Sequence, residues 1–355
     1  MDDIDKSQPV LVTGATGYVA GWIVKRLVDD GRTVHAAVRD PSNREKVRHL
    51  DDLAAKAPGT IRYFKSDLLE PGSYAESMAD CAVVFHTASP FTMTVSDPRK
   101  ELVDPAKLGT RNVLEQASRT ESVRRVVVTS SCAAVYGDNA DIAKTRNGRF
   151  TEEDWNTSSS LSHQPYPYSK AEAEREAWRI ADGQARWDMV TINPSLVVGP
   201  GIKPHDASES FSLIRQLGDG TMRSGVPNYF VGAVDVREVA DAHIQAADRQ
   251  QAHGRYIVSG HDTSFPEMAR ILKAHFGDRY AFPKRTLPKW MVWLVAPMVD
   301  KRMTRRIVSG NVGIPFLGDN RKSIRELGIT YRSLGESLVE MFEQMIESGQ
   351  IREAA

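Results

Sequence analysis

From Pro9 to about Pro200, short β-branched and aliphatic runs alternate with polar segments that carry apolar residues at helical spacing. The clearest runs are Val10-Leu11-Val12, Thr33 to Val38, Ile61 to Phe64, Cys81 to His86, Arg125 to Thr129 and Met189 to Ile192. Continuous apolar runs of this length suit strands buried on both faces of a parallel sheet, and the stretches from Val19 to Asp30 and Glu101 to Arg119 read as the helices that cover them. Such alternation predicts an α/β, doubly wound parallel sheet with helices on both faces.

Beyond Pro200 the pattern loosens and Gly and Pro punctuate residues 199–227. A strand is expected at Arg255-Tyr256-Ile257-Val258, with short helices after Ser264-Phe265-Pro266-Glu267. A final helix begins at Ser333-Leu334-Gly335-Glu336, which has capping-box spacing, and runs through Leu338, Met341, Met345 and Ile346. The expected division is a polar tail over 1–8, a cofactor-binding domain over 9–200, and a smaller mixed α/β substrate lobe over 201–355, interleaved with the first domain. No internal repeat or low-complexity linker separates them.

Between the first strand and the first helix stands Thr13-Gly14-Ala15-Thr16-Gly17-Tyr18-Val19-Ala20-Gly21. Gly14 permits a tight turn, Gly17 lets the backbone approach a pyrophosphate, Ala20 allows close helix packing, and the helix N-terminus supplies N–H donors. In that context the turn predicts a Rossmann-type dinucleotide site, with Gly14, Thr16, Gly17, Tyr18 and Val19 against the cofactor. The second strand ends at Val38-Arg39-Asp40-Pro41. An NAD-preferring site carries an acid there for the ribose 2′-hydroxyl, whereas Arg39, with Arg44 and Lys46 behind it, would receive a 2′-phosphate. NADP(H) is therefore expected, with Asp40 as a turn acid before Pro41. Ligands sit outside the carboxyl ends of strands, so Asp67 and Leu68, Thr87, Ala88 and Ser89, and Pro194 should also face the cofactor. Asp67 either accepts from the adenine amino group or caps a helix.

Thirty-five residues after Ser131, in Thr129-Ser130-Ser131-Cys132, comes Tyr166-Pro167-Tyr168-Ser169-Lys170. Tyr166 and Lys170, four apart, lie on one helix face. Pro167 biases Tyr166 away from helical geometry, so Tyr166 is expected just before the first turn. Reducing a carbonyl with a nicotinamide hydride leaves negative charge on oxygen, which needs a proton donor and a polar stabiliser. A free tyrosine has a pKa near ~10, and an adjacent ammonium favours its ionised form. Tyr166 is thus expected as general acid or base, Lys170 as the group that lowers its pKa and holds the nicotinamide ribose, and Ser131 as hydrogen-bond partner of the reacting oxygen. The alternative makes Tyr166 a core tyrosine and Lys170 a solvated helix residue.

The glycine turn, the Thr129-Ser130-Ser131 strand end, Tyr166-x-x-x-Lys170 and Ile192-Asn193-Pro194-Ser195-Leu196-Val197-Val198-Gly199-Pro200 together resemble an extended short-chain dehydrogenase/reductase, over nearly the whole chain. Within that family the chain most resembles dihydroflavonol reductase-like and cinnamoyl-CoA reductase-like enzymes. It is also similar to the yeast methylglyoxal and aldehyde reductases, through His86-Thr87-Ala88-Ser89-Pro90-Phe91 and Ser131-Cys132-Ala133-Ala134-Val135. The resemblance implies that Phe91, Cys132 and Tyr136 line the substrate side, although Cys132 is equally well read as a small buried residue. Two positions depart from the pattern: Ala20 replaces a third glycine, and Tyr136 stands where plant flavonoid reductases carry a polar substrate-reading residue. A nucleotide-sugar dehydratase would be expected to have an Asp-Glu pair where Cys132-Ala133 stands, and an epimerase to hold NAD. A 3β-hydroxysteroid or sterol dehydrogenase shares the motifs. A non-catalytic dinucleotide sensor can dispense with the Tyr/Lys pair, which this chain keeps. The expected activity is that of an NADPH-dependent carbonyl reductase.

Composition narrows the remaining classes. The 355 residues hold 46 Lys+Arg against 46 Asp+Glu, a formal net charge of zero, which argues against a nucleic-acid partner. Cys81 and Cys132 cannot build a disulfide framework or a zinc site, so no metal is expected. The polar, acidic start lacks a secretory signal, and a cytoplasmic monomer or homodimer acting on a small molecule is the expectation. The longest apolar stretch, Trp290 to Val299, is about half the ~20 residues a membrane span needs. It is read as cover for the core or an apolar pocket, with membrane or partner contact as the alternative.

Overall fold

The computed structural model describes residues 5–89, 95–205 and 208–353. Its main sheet joins β1 (Val10–Thr13), β2 (Thr33–Val38), β3 (Thr60–Lys65), β4 (Val83–His86), β5 (Arg125–Thr129), β6 (Asp188–Pro194) and, from much later in the chain, β10 (Gly254–Val258). The order is β10-β6-β5-β4-β1-β2-β3 and every pairing is parallel. β1 and β4 are buried along their whole lengths, as apolar runs sandwiched between helix layers must be. One face is covered by α1 (Tyr18–Asp29), α2 (Arg44–Ala54) and α7 (Val236–Asp248), which share a core with β1 and β2. The other is covered by α3 (Ala75–Met78), α4 (Asp104–Arg119) and α5 (Pro165–Asp182). Strand order reverses between β1 and β4, where Thr13 lies beside His86, and this switch point opens the crevice in which such sheets hold ligands.

A second, three-stranded sheet is mixed: β7 (Leu196–Val198) pairs parallel to β9 (Phe230–Asp235), which pairs antiparallel to β11 (His261–Ser264). Only Ser195 separates β7 from β6, so one run of chain leaves the first sheet and enters the second. With α6 (Glu209–Gly218), α8 (Phe265–Phe276) and α11 (Leu334–Glu347), this sheet encloses a core of its own, built around Phe276, Tyr280, Phe282 and Phe342. Ser264 caps α8 and Ser333 caps α11, each through a bond from the backbone N–H three residues on; Glu336 does not return a bond to Ser333 but holds Arg332. A small outer unit carries β8 (Val226–Pro227), β12 (Thr286–Leu287), α9 (Lys289–Val299) and α10 (Arg305–Asn311). Residues beyond 200 therefore serve both sheets, α7 and β10 returning to the first.

The expectation that the apolar stretch from Trp290 covers a core or pocket is corrected here. α9 buries Val292 alone; that side meets Val308 and Val312, with Ala296 partly buried beside them. Trp290, Leu294, Val295, Met298 and Val299 are exposed, and Trp293 is covered in part by Arg305. No helix among them is long and apolar enough to cross a membrane.

Candidate active site

At the switch point, Gly14 adopts φ +62°, a conformation that L side chains disfavour, and a Cβ on it would lie 3.1 Å from the Ala88 Cα. Gly17 is the N-cap of α1 and brings no side chain to the first-turn N–H groups; a Cβ there would sit 3.2 Å from the Gly14 carbonyl oxygen. Bare N–H donors at the start of a 12-residue helix, facing a crevice that two glycines keep clear, fit the pyrophosphate of a dinucleotide. Ala20, in place of a third glycine, is 2% exposed and packs tightly. Thr16 and Val19 lie half-buried on the same turn. The Tyr18 side chain leaves this turn: its phenol donates to the Gly199 carbonyl at 2.5 Å and its ring packs edge-on to Phe211.

Thr13 stitches the ends of β1 and β4 together. Its Oγ accepts from the N–H groups of Thr87 (3.1 Å) and Ala88 (3.0 Å), and the Thr87 hydroxyl donates to the Thr13 carbonyl. With both lone pairs used, the Thr13 hydroxyl proton points to His86 Nδ1 at 3.1 Å. Burial, then the charge of Lys170, pushes the His86 pKa down to about 4, so the ring is neutral and accepts that bond. Pro194, buried at the end of β6, pairs with Val258.

Arg39, Arg44 and Lys46 all project to solvent beyond β2. Arg44 lies 3.9 Å from Asp51, whereas Arg39 and Lys46 form no ion pair among the described residues. Asp40 spends its carboxylate on the turn: it accepts from the Ser42 hydroxyl (2.6 Å) and N–H (3.0 Å), which, with the charge of Lys46 as a smaller contribution, hold its pKa below the usual range. Lys203 adds a cation that no local motif marks, its ammonium 3.5 Å from the Lys46 carbonyl. Asp67 caps a turn, not a helix, accepting from Leu69 N–H at 2.9 Å. The Leu68 side chain fills the space above Gly109, and its carbonyl accepts from Asn112.

α5 opens at Pro165, preceded by Gln164 in the left-handed region at φ 54°. Tyr166 is therefore inside the first turn and not before it, which corrects the expectation drawn from Pro167. Pro165 and Pro167 both fit because first-turn N–H groups have no partner in the helix to lose. The strained Gln164 is held by its amide, which donates to the Gly137 carbonyl (2.6 Å) and to Asp138 (2.8 Å). Asp138 is fixed in turn by His163 at 2.6 Å and Asn311 at 2.7 Å. One turn along, the Lys170 ammonium lies 5.6 Å from the Tyr166 ring centre and donates to Ser89 Oγ at 2.9 Å. α5 also packs against the turn Cys132–Ala134, whose N-cap is Ser131; the Ser131 Oγ accepts from Ala133 N–H at 3.1 Å. These contacts gather Ser89, Ser131, Tyr166 and Lys170 at the carboxyl ends of β4 and β5.

Beneath them sits Glu174, fully buried, paired with Arg255 at 2.7 Å and accepting from Asn193 at 2.7 Å and from the Ser130 hydroxyl. The Asn193 amide also donates to the Ser131 carbonyl at 3.1 Å, so the buried pair fixes the backbone of the strand end. A cavity of about 30 Å³ lies between Glu174, Lys170, Thr110 and Ser89, room for roughly one water.

Electrostatics at the pair differ from the expectation that Lys170 depresses Tyr166. Burial, then the charge of Glu209, raises the Tyr166 pKa, and burial lowers that of Lys170 to about 8 while Glu209 works against the fall. Tyr166, Lys170 and Glu209 are walled by protein yet reached by solvent, as groups lining a cleft are. Desolvation of the phenolate outweighs an ammonium that is committed to Ser89. Glu209, at the start of α6, also feels Arg302 and Lys170; no local motif marks it in the sequence.

On the substrate side the three expected residues separate. Phe91 lies outside the described residues. Cys132 is 4% exposed, closed behind an aromatic cluster, with its thiol on the Asn193 carbonyl at 3.2 Å, so the small buried role is the one it fills. Tyr136 is half-buried, stacked on Phe150 with ring centres 4.7 Å apart and tilted on Phe316.

A doubly wound sheet with a glycine turn at its switch point, and a Tyr-x-x-x-Lys helix facing that turn, is the architecture of an extended short-chain dehydrogenase/reductase. The chain belongs to the NAD dependent epimerase/dehydratase family, whose model matches residues 10–259. It is 36% identical over 342 residues to a cinnamoyl-CoA reductase of Medicago truncatula, covering 95% of each chain. Among solved structures it is similar to Gre2 of Candida albicans in complex with NADPH, with 28% identity, a TM-score of 0.77, and coverage of 96% of this chain and 99% of the other. It is also similar to the yeast methylglyoxal/isovaleraldehyde reductase Gre2 complexed with NADPH, at 25% identity and TM-score 0.74, over 97% and 100% of the chains.

Proposed function

We propose that this chain is an NADPH-dependent carbonyl reductase acting on aldehydes or ketones, with Tyr166 as proton donor. The observation that carries the reading is the placement of Tyr166 and Lys170 on successive turns of α5, across the crevice from the Gly14–Gly17 turn. The solved relatives in complex with NADPH and the named reductase relatives support the same reading.

Bound NADPH supplies the hydride. Gly14, Gly17 and the first-turn N–H groups of α1 hold the pyrophosphate, and Arg39 with Lys46 receives the 2′-phosphate. Thr87 and Ala88, fixed by Thr13, flank the cofactor together with Ser89. Lys170 binds the nicotinamide ribose, with Ser89 orienting its ammonium. Ser131 and Tyr166 hydrogen-bond the carbonyl oxygen, and Tyr166 gives it a proton as negative charge develops. Its raised pKa means the phenol is protonated at neutral pH, the state a donor needs. The half-buried face of Tyr136, backed by Phe150 and Phe316, suits an apolar or aromatic group beside that carbonyl.

NADPH absorbance followed across small aldehydes, α-diketones, aryl ketones, flavonoids and steroids tests the reading. At least one class should be reduced by the natural chain, and Tyr166→Phe should lose about a hundredfold or more in kcat/KM. Undiminished reduction by the variant would remove Tyr166 from the chemistry.

A further inference from the structure

α9 is apolar on both of its sides. Val292 and Ala296, four apart, face the protein, while Trp290, Trp293, Leu294, Val295, Met298 and Val299 face outward, Met298 and Val299 being more than four-fifths exposed. A single exposed leucine needs no account, but six large apolar side chains on one eleven-residue helix form a contiguous patch. Around the patch, residues 284–306 hold seven Lys and Arg against one acid, Asp300. That acid is taken by Arg302 at 2.9 Å. All seven cations are exposed. Arg305 lies 4.5 Å over the Trp293 ring, so the charge rides on the edge of the apolar face itself. In a chain with no net charge, this local excess is a concentrated positive rim.

We infer that α9 and its basic rim dock on the surface of an anionic phospholipid bilayer, the helix lying in the plane of the interface without crossing it. An apolar face with tryptophans, bordered by Lys and Arg, pairs acyl chains with one element and lipid phosphates with the other. A second copy of this chain fits less well. A two-fold contact through α9 would bring the same seven cations against each other. At about 1.5 Å per residue the helix is roughly 16 Å long, half of what a span requires.

The test is co-sedimentation of the full chain with vesicles of phosphatidylcholine alone, and with vesicles in which roughly a third of the lipid is phosphatidylglycerol, at low salt and at about 0.5 M NaCl. Binding is expected to the anionic vesicles, to weaken several-fold in high salt, and to be nearly absent without anionic lipid. Brominated lipids should quench tryptophan fluorescence, and the Trp290→Ser/Met298→Ser variant should lower the partition coefficient about tenfold at an unchanged thermal midpoint. A second variant, Lys301→Gln/Arg306→Gln, should lose the anionic preference while keeping the fold. No sedimentation with anionic vesicles at low salt would overturn the inference, as would binding by both variants equal to that of the natural chain. So would a lipid-free dimer by light scattering that Trp290→Ser/Met298→Ser dissolves, which would make the occupant a second copy.

Discussion

Lys170 is tethered to Ser89, its ammonium 2.9 Å from the hydroxyl at the end of β4, and its neighbour on α5, Tyr166, keeps a raised pKa. The cation is thereby held toward the end of β4, and the phenol remains protonated at neutral pH.

The pH dependence of reduction follows from that geometry. Lys170, lowered to about 8, is charged below that value and neutral above it, so kcat/KM for reduction should fall as pH rises through about 8. The negative charge of Glu209 raises the pKa of both Lys170 and Tyr166. Removing it in Glu209→Gln lowers both, and the descending limb should move to lower pH with little change on its acid side. A pH–rate profile of the two proteins checks this; an unmoved limb would detach Glu209 from the site.

Cofactor preference should depend on Arg39 and hardly at all on Asp40. Loss of a charge-assisted fork to a phosphate costs roughly 1.5–3 kcal/mol, so Arg39→Ala should weaken NADPH about tenfold or more and leave NADH unchanged. Asp40→Asn should alter neither much, since the Asp40 carboxylate is already turned onto Ser42. Titration of both cofactors by fluorescence reads the difference.

Breaking the buried pair under the site should cost stability before chemistry. Glu174→Ala leaves the Arg255 guanidinium buried without its partner and strips an acceptor from Asn193 and Ser130. A loss of about 3–5 kcal/mol in chemical denaturation is expected. A variant as stable as the natural chain would mean that water takes over the carboxylate's role.

Strand and helix alternation, the glycine turn and the Tyr166/Lys170 pair were legible in sequence because each is local: a period, a turn or a one-turn spacing. What escaped is what distant segments bring together. Glu209 and Lys203 reach the cleft from the loop and helix beyond β7, and Asn311 holds Asp138 from 173 residues away. Pro167 pointed Tyr166 out of the helix, but first-turn tolerance of proline prevailed. Apolarity marked α9 without saying against what it would pack, and most of the helix's large side chains turn out to face solvent.

The passage from β6 through Ser195 into β7 has a consequence for how the chain can be divided. A cut there would leave an amino-terminal piece whose sheet stops at β6, without its edge strand β10, and a carboxy-terminal piece that keeps β7, β9 and β11 together but carries β10 with no β6 beside it. Each piece then holds one side of the β6–β10 ladder and lacks the other. Co-produced fragments should therefore rescue each other or fail together, and the two lobes behave as one heritable unit, able to trade surface loops but not whole halves.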